Sequence, residues 1–406
     1  MNILIVNTAY SGGGAETVVR QMINGMKSTN LQTYGVVNYS KIPVPDNVTV
    51  LYNTTVMKIY NRIVTFNHNN KTMHIPYTIK MIKQIVKEKH IDVVHLHNIH
   101  GNYFGIQDVK TLTDICPVVW TLHDMWTLTG NCFFAEECNK YQNHCKECHK
   151  NLSVADKRFF QTKEKAFTGQ NIVFVTPSEW LYRITKKSWL QNEDIRVINN
   201  GVNIENYVAY NKKELRQQYG LDSNKHYLVS VAANILETRK GFSILFDALK
   251  KIRNPADYCL LLVGDVSEKA QKLLPTNLDI KIMGYIRDLN ELNHIYSLAD
   301  VFVLPSLEDN FPCVTLEALA AGTPVVGFKT GGIPEQVDVE TGWIAEEQNA
   351  DALSKTLEIA FSDKTKLAQM SLNARIRAET LYAEKLMLER YKKIYVEVVN
   401  KYGKKE

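Results

Sequence analysis

Short apolar runs alternate with amphipathic stretches twice over, and no other feature constrains this chain so strongly. In the first half, "ILIVNT" leads through the loop "AYSGGGAE" into a stretch where Val18, Val19, Met22, Ile23 and Met26 recur at helical spacing. "TYGVVN", "IDVVHLHN", "PVVWTLHD" and "IVFVTPS" read as further strands, with "YTIKMIKQIVKEKH" as a helix among them. The second half repeats the grammar with "HYLVSVAAN", "FSILFDALKKI", "YCLLLVGD", "IKIMGYI", "LNELNHIYSLA", "DVFVLPS", "TLEALAAG" and "PVVGF". Strands this uniformly apolar belong in parallel sheets covered on both faces, so the expected class is α/β with two doubly wound, Rossmann-like domains facing across a cleft. Polar and glycine residues near "VINNGVNIENYV" mark the linker. The expected division is 1–200, then 201–375, then a closing helix over 376–406 that packs back toward the first domain.

Length and charge narrow the function classes. A chain of 406 residues carries about two or three domains. Its 48 Lys and Arg against 43 Asp and Glu leave a net charge of +5, too small a bias to argue for nucleic acid. No apolar run approaches the roughly 20 residues of a membrane span, and "MNILIVNTAYSGGG" reads as a first strand rather than a leader. A cytoplasmic protein is expected. Two basic faces would suit the inner surface of the membrane: Lys80, Lys83, Lys87 and Lys89, and the segment holding Trp180, Arg183, Lys186, Lys187 and Trp189. An amphipathic helix with its lysines in water is the plainer account of the first.

The junction "VFVLPSLEDNFPCVTLEALAAGTPVVGFKTGG" places three acids, Glu308, Asp309 and Glu317, where a strand ends and a helix begins. That is where α/β proteins put ligands. Asn310 is expected as the helix cap and Pro312 at an early helical position, with Gly322 stopping the helix before Pro324. The turn Asn310, Phe311, Pro312, Cys313, Val314 and Thr315 would then aim backbone N–H groups and the positive helix end at a phosphate. Glu317 would accept hydrogen bonds from sugar hydroxyls, although the helix dipole alone also favours an acid there.

An acid, seven residues, then Glu, followed by "ALAAGTPVV", resembles the signature of glycosyltransferase family 4, retaining enzymes of the GT-B architecture. Asp309 and Glu317 have that spacing, and "NNGVN", "GYI" with Tyr285 and Ile286, and "GGIPEQV" match further segments. The resemblance covers almost the whole chain. It implies that Glu317 meets the nucleotide ribose, that the first acid meets the donor sugar, and that the turn and its amides meet sugar and diphosphate. Asp309 stands where the family usually has Glu, with Glu308 one place earlier, so both are candidates for the sugar contact. Lys240 in "ETRKGF" resembles the family's Lys-Gly, which contacts the diphosphate, with Arg239 beside it. Asn234 and Ile235 occupy the region where family members carry an Arg. The resemblance also makes His123 the histidine near the donor sugar, sets Gly13 and Gly14 near donor phosphates and acceptor, and assigns His97, Asn98 and His100 to the acceptor side. Asp124 and Trp126 would shape the acceptor pocket. There is no Asp-x-Asp, so no metal is expected in catalysis, and the leaving diphosphate must be met by fixed cations and dipoles. Nor is there a Gly-x-Gly-x-x-Gly with a later acid, which disfavours nicotinamide binding.

"NCFFAEECNKYQNHCKECHK" holds Cys132, Cys138, Cys145 and Cys148 in an insert near 131–150. In a reducing compartment a structural zinc is the expected use of such a cluster, with reduced loop cysteines as the alternative. The expectation is thus a retaining transferase that moves a sugar from a UDP- or GDP-linked donor to a hydroxyl of a glycan or lipid-linked acceptor, in capsule or lipopolysaccharide synthesis. A sugar-nucleotide epimerase of the same architecture would form product from donor alone. A non-catalytic sugar-nucleotide-binding protein would bind donor without turnover.

Overall fold

A computed structural model describes residues 1–52, 59, 76–101, 103–145 and 154–403. The chain divides into two compact units, Met1–Asn199 together with Met387–Glu406, and Asn200–Leu386. Among the described residues the first unit has seven strands: β1 (Asn2–Ala9), β2 (Gln32–Tyr39), β3 (Val48–Val50), β4 (Val93–Leu96), β5 (Val118–Thr121), β6 (Ile172–Thr176) and β7 (Asp194–Val197). They pair in parallel in the order β3-β2-β1-β4-β5-β6-β7, with Ile5 opposite Gly35 on one side and His95 on the other. The second unit has β8 (His226–Asn234), β9 (Tyr258–Asp265), β10 (Asp279–Gly284), β11 (Val301–Leu304), β12 (Val325–Phe328) and β13 (Gly342–Ala345). Their order is β10-β9-β8-β11-β12-β13, again all parallel.

The apolar runs explain both sheets. Ile3 to Val6, Leu260 to Val263 and Val301 to Leu304 are buried without alternation, as strands covered on both faces must be. Each such aliphatic side chain contributes about 1.5–3 kcal/mol on burial, so a central strand is held mainly by what covers it. The helix Gly14–Gly25 supplies part of that cover through Val18, Val19, Met22 and Ile23.

The strand order reverses once in each sheet, between β1 and β4 in the first unit and between β8 and β11 in the second. At such a reversal the loops leaving adjacent strands diverge and open a crevice at their carboxyl ends. The loops there are the glycine loop after β1, the segments after β4 and β5, "ILETRK" after β8 and "PSLEDNFP" after β11.

Three differences from the sequence reading have local causes. The closing helix expected over 376–406 is two helices, Lys364–Leu381 and Glu384–Tyr402. Between them Ala383 bridges to Val202: Val202 N–H donates to the Tyr382 carbonyl and Glu384 N–H to the Val202 carbonyl, both at 2.8 Å. Those bonds take the backbone out of helical register. Asn310 does not cap the helix at "CVTLEALA"; Pro312 occupies the cap position at φ −63°, ψ 127°, and Cys313 is the first helical residue. Trp180 and Trp189, read as interfacial aromatics, pack against the core of the first unit, and Trp189 Nε1 donates to the Leu128 carbonyl at 3.1 Å. Gly322, at φ +72°, follows the helix end as expected, with Thr323 N–H closing on the Ala318 carbonyl at 2.9 Å. Among the described residues no helix is long and apolar enough to cross a membrane.

Candidate functional site

In the second unit the reversal between β8 and β11 gathers the predicted charges. At the end of β8, Asn234 Oδ1 accepts from Leu236 N–H at 3.0 Å and tightens the loop that carries Arg239 and Lys240. Lys240 Nζ donates to Asp309 Oδ2 at 2.7 Å, and Arg239 Nη1 stands 3.6 Å from the same oxygen. Ser306 Oγ is a second hydrogen-bond donor to Asp309 Oδ2, at 3.4 Å. Arg239 is itself fixed: Nη1 donates to the Glu308 carbonyl at 2.9 Å, while Nε and Nη2 both reach Glu237 Oε1. Asp309 is therefore the acid whose carboxylate faces the cations, and Glu308 contributes its backbone oxygen to Arg239.

Two glycines permit this approach. Gly241, at φ +67°, lies so close to the end of β11 that a Cβ would fall 1.8 Å from the Pro305 carbonyl oxygen. Gly331, at φ +54°, lies against Asp309 itself, where a Cβ would fall 1.6 Å from the carbonyl oxygen. Only a residue without a side chain fits either place.

The turn before the helix Cys313–Ala320 is packed rather than loose. Asn310, Phe311 and Cys313 are buried; the Phe311 carbonyl accepts from Asn200 Nδ2 at 2.9 Å and the Pro312 carbonyl from Gln336 Nε2 at 3.0 Å. Among the described residues no side chain caps the helix start, and the buried Thr315 Oγ1 has no partner. A rigid, uncapped helix start suits an anion. Val314 is half-buried in the first turn. Glu317, one turn along, accepts from the Tyr296 hydroxyl at 3.1 Å. Tyr285 is 63% exposed just past β10, with Ile286 packed inward beside it.

In the first unit the reversal between β1 and β4 gathers the histidines. His97 Nδ1 and His123 Nε2 share a hydrogen bond of 2.8 Å, and their rings stack at 5.1 Å. Burial holds His97 well below the ordinary imidazole value, with the neighbouring His95 and His123 adding to it. Burial likewise pushes His123 down to about 4, against the opposing pull of the Asp124 carboxylate. Both rings are thus neutral at pH 7. His100 Nε2 lies 3.6 Å from Asp124 Oδ2, and Asp124 Oδ1 accepts from Trp126 N–H at 2.8 Å. Asn98 is fixed by its backbone, its N–H on Asn7 Oδ1 and its carbonyl accepting from Thr8 and Tyr103. His97, Asn98, His100, His123, Asp124 and Trp126 line one narrow recess, with room for about one water molecule. At the glycine loop, Gly13 caps the helix that begins with Gly14, and the Glu16 carboxylate accepts from Gly13 N–H at 2.8 Å.

Sequence reasoning did not single out several groups that hold these sites. Tyr391 and Tyr395, on the helix Glu384–Tyr402, bond Thr121 Oγ1 and His95 Nδ1 at 2.8 and 2.6 Å, directly beside His97. Lys163 is wholly buried; its Nζ donates to the carbonyls of Trp126 and Thr129 and lies 3.5 Å from the Trp126 ring centre. A lysine in "FFQTKEKAF" looks like a solvated helix face, so no local signal marks it. Of the cysteine cluster, Cys132, Cys138 and Cys145 are partly buried, and Cys145 Sγ accepts from Gly130 N–H at 3.3 Å. Cys148 lies outside the described residues. Among the described residues no group of three His, Cys, Asp or Glu is arranged to hold a metal.

Comparison with known proteins identifies the family. The chain matches the model of Glycosyltransferase Family 4 over residues 12–206 and that of Glycosyl transferases group 1 over residues 211–377. It is 22% identical over 437 residues to an Escherichia coli K12 protein assigned to colanic acid biosynthesis as the glycosyl transferase WcaC, covering 97% of this chain and 99% of that one. Among solved structures, sucrose-phosphate synthase from Thermosynechococcus elongatus superposes with a TM-score of 0.76 at 18% identity, covering 98% of this chain and 99% of the other. Anabaena HepE in complex with UDP-glucose superposes at 0.68, also at 18% identity, covering 98% and 100%. Two Rossmann-like units, matched one after the other by the two models, place the chain among the GT-B glycosyltransferases, and it belongs to glycosyltransferase family 4.

Proposed function

We propose that this glycosyltransferase takes its sugar from a nucleotide diphosphate and transfers it with retained anomeric configuration to a hydroxyl of a glycan or lipid-linked acceptor, in the assembly of a surface polysaccharide. The observation that carries the reading is the convergence of Lys240, Arg239 and an uncapped helix start around Asp309 at one switch point. A diphosphate leaving group develops negative charge as the glycosidic bond breaks, and fixed cations and amides meet that charge without reorganising. Asp309 would accept hydrogen bonds from the donor sugar, and Glu317 from the ribose. No residue stands out as a covalent nucleophile, so attack from the leaving group's own face is the route to retention, with the departing phosphate oxygen taking the acceptor proton. The UDP-glucose complex of HepE and the colanic acid assignment of WcaC support a nucleotide-sugar donor and a surface glycan. His97, Asn98, His100, Asp124 and Trp126 would serve the acceptor. For a lipid-linked one, the exposed Lys80, Lys83 and Lys87 on the helix Pro76–Glu88 would rest against anionic headgroups.

The test begins with a thermal-shift screen of UDP- and GDP-sugars, followed by turnover and NMR of the product anomer with the best binder. Glu317→Ala and Lys240→Ala should each lower turnover at least about a hundredfold while leaving the protein folded. Normal turnover by both variants, or an inverted product, would overturn the assignment.

A further inference from the structure

Glu317 does not stand alone on its helix. Its Oε2 accepts from the Tyr296 hydroxyl at 3.1 Å, and Tyr207 lies beside the same carboxylate, near enough for the Glu317 charge to act on its phenol. Tyr296 is fully buried and Tyr207 almost so, their rings edge to face with centres 6.2 Å apart. Both are also tied through their backbones. Thr323 Oγ1 donates to the Tyr296 carbonyl at 2.7 Å, and Arg375 Nη1 donates to the Tyr207 carbonyl. Burial first, and then the Glu317 charge, push both phenols well above their ordinary value. They therefore stay protonated and act toward the carboxylate as donors only.

A core needs none of this. Phenylalanine would fill the same space at lower desolvation cost, and a carboxylate beside two buried rings is expensive unless its oxygens are bonded. A carboxylate offers about four acceptor positions. The Tyr296 hydroxyl occupies part of that capacity and, with the Tyr207 ring packed against it, fixes the plane of the group, while Glu317 itself stays only half-buried and reachable. We propose that Tyr296 and Tyr207 are positioning residues, orienting the Glu317 carboxylate so that it reads the vicinal diol of the donor's ribose. This rests on the assignment of Glu317 to the nucleotide made above. A tethered carboxylate discriminates sharply because the loss of one ribose hydroxyl leaves it with an unmet acceptor that it cannot turn elsewhere.

The measurement is calorimetric binding of UDP and 2′-deoxy-UDP, with GDP and 2′-deoxy-GDP run beside them, to the parent, Tyr296→Phe and Tyr207→Phe. Inorganic pyrophosphate is the control ligand, and a melt of each variant checks folding. The parent should prefer the ribonucleotide by about tenfold, and each Phe variant should bring that preference down to about twofold with pyrophosphate affinity unchanged. A preference kept at the parent's level in both Phe variants overturns the positioning role and leaves the Glu317 assignment standing. Equal affinities in the parent overturn the assignment and the positioning role with it. Two variants are used because either phenol alone suffices for the comparison if the other substitution fails to fold.

Discussion

Replacing Gly331 with alanine tests the candidate site without touching a charge. Gly331 lies in the bend after β12 at φ +54°, and the N–H of the next residue, Gly332, donates to the Asp309 carbonyl at 3.3 Å. The left-handed backbone alone costs an alanine about 1–2 kcal/mol. The larger effect is steric. The new methyl would begin 1.6 Å from the Asp309 carbonyl oxygen, and real Cβ contacts essentially never fall under 3.0 Å, so bend and acid must part by about 1.4 Å. Asp309 Oδ2 sits only 2.7 Å from Lys240 Nζ, and a shift of that size removes the bond. A misplacement of about 1 Å is worth about a hundredfold in rate, so kcat/KM should fall by at least that much. Stability should drop by at least about 2 kcal/mol, or roughly 4–8 °C in Tm. Gly220→Ala is the matched control: φ is +63°, yet among the described residues no atom lies within 4 Å of the added methyl. It should lose only the conformational part, about 1–2 kcal/mol, and transfer sugar as the parent does. Scanning calorimetry and turnover with the best-stabilising donor measure both quantities. If Gly331→Ala melted and turned over like Gly220→Ala, the close approach of the bend to Asp309 would not be what holds the acid in place.

Two further outcomes follow from the first unit. His95, His97 and His123 are all held below the ordinary imidazole value by burial, His123 to about 4, while the unfolded chain takes up those protons near pH 6.5. Their contribution is therefore complete above about pH 6.5 and is lost progressively as pH falls toward 4, so urea midpoints should decline between about pH 7 and 5. A flat profile over that range contradicts neutral, buried rings. Lys163→Met keeps most of the volume but leaves the Trp126 and Thr129 carbonyls without their common donor, and should cost about 2–4 kcal/mol and shift tryptophan emission to the red. Parent-like melting and emission would show that the Lys163 Nζ is not what holds the 126–130 turn.

What was legible in the sequence, and what was not, divides along a physical line. Central strands such as "LLLVG" and "VFVL" announce themselves because burial on both faces leaves no polar alternation to confuse them. The edge strands β3, β7 and β13 did not: each is three or four residues long, and "DIRV" and "GWIA" acquire strand geometry from the neighbour they pair with. The charged site belongs to the first kind. Lys240 and Asp309 are 69 residues apart, yet each follows the end of an apolar strand, and a doubly wound sheet brings such ends together whatever lies between them. Their supports belong to the second kind. Tyr296 and Tyr207 come from a covering helix and an irregular segment, where a buried tyrosine in sequence is indistinguishable from core. The break at Tyr382–Ala383 depends on Val202, remote in sequence, and nothing in "ETLYAEKL" forbids a continuous helix. A sheet topology thus publishes where chemistry will occur, because it fixes which loops meet. What orients each group is settled by packing partners drawn from other layers, and those appear only once the layers are assembled.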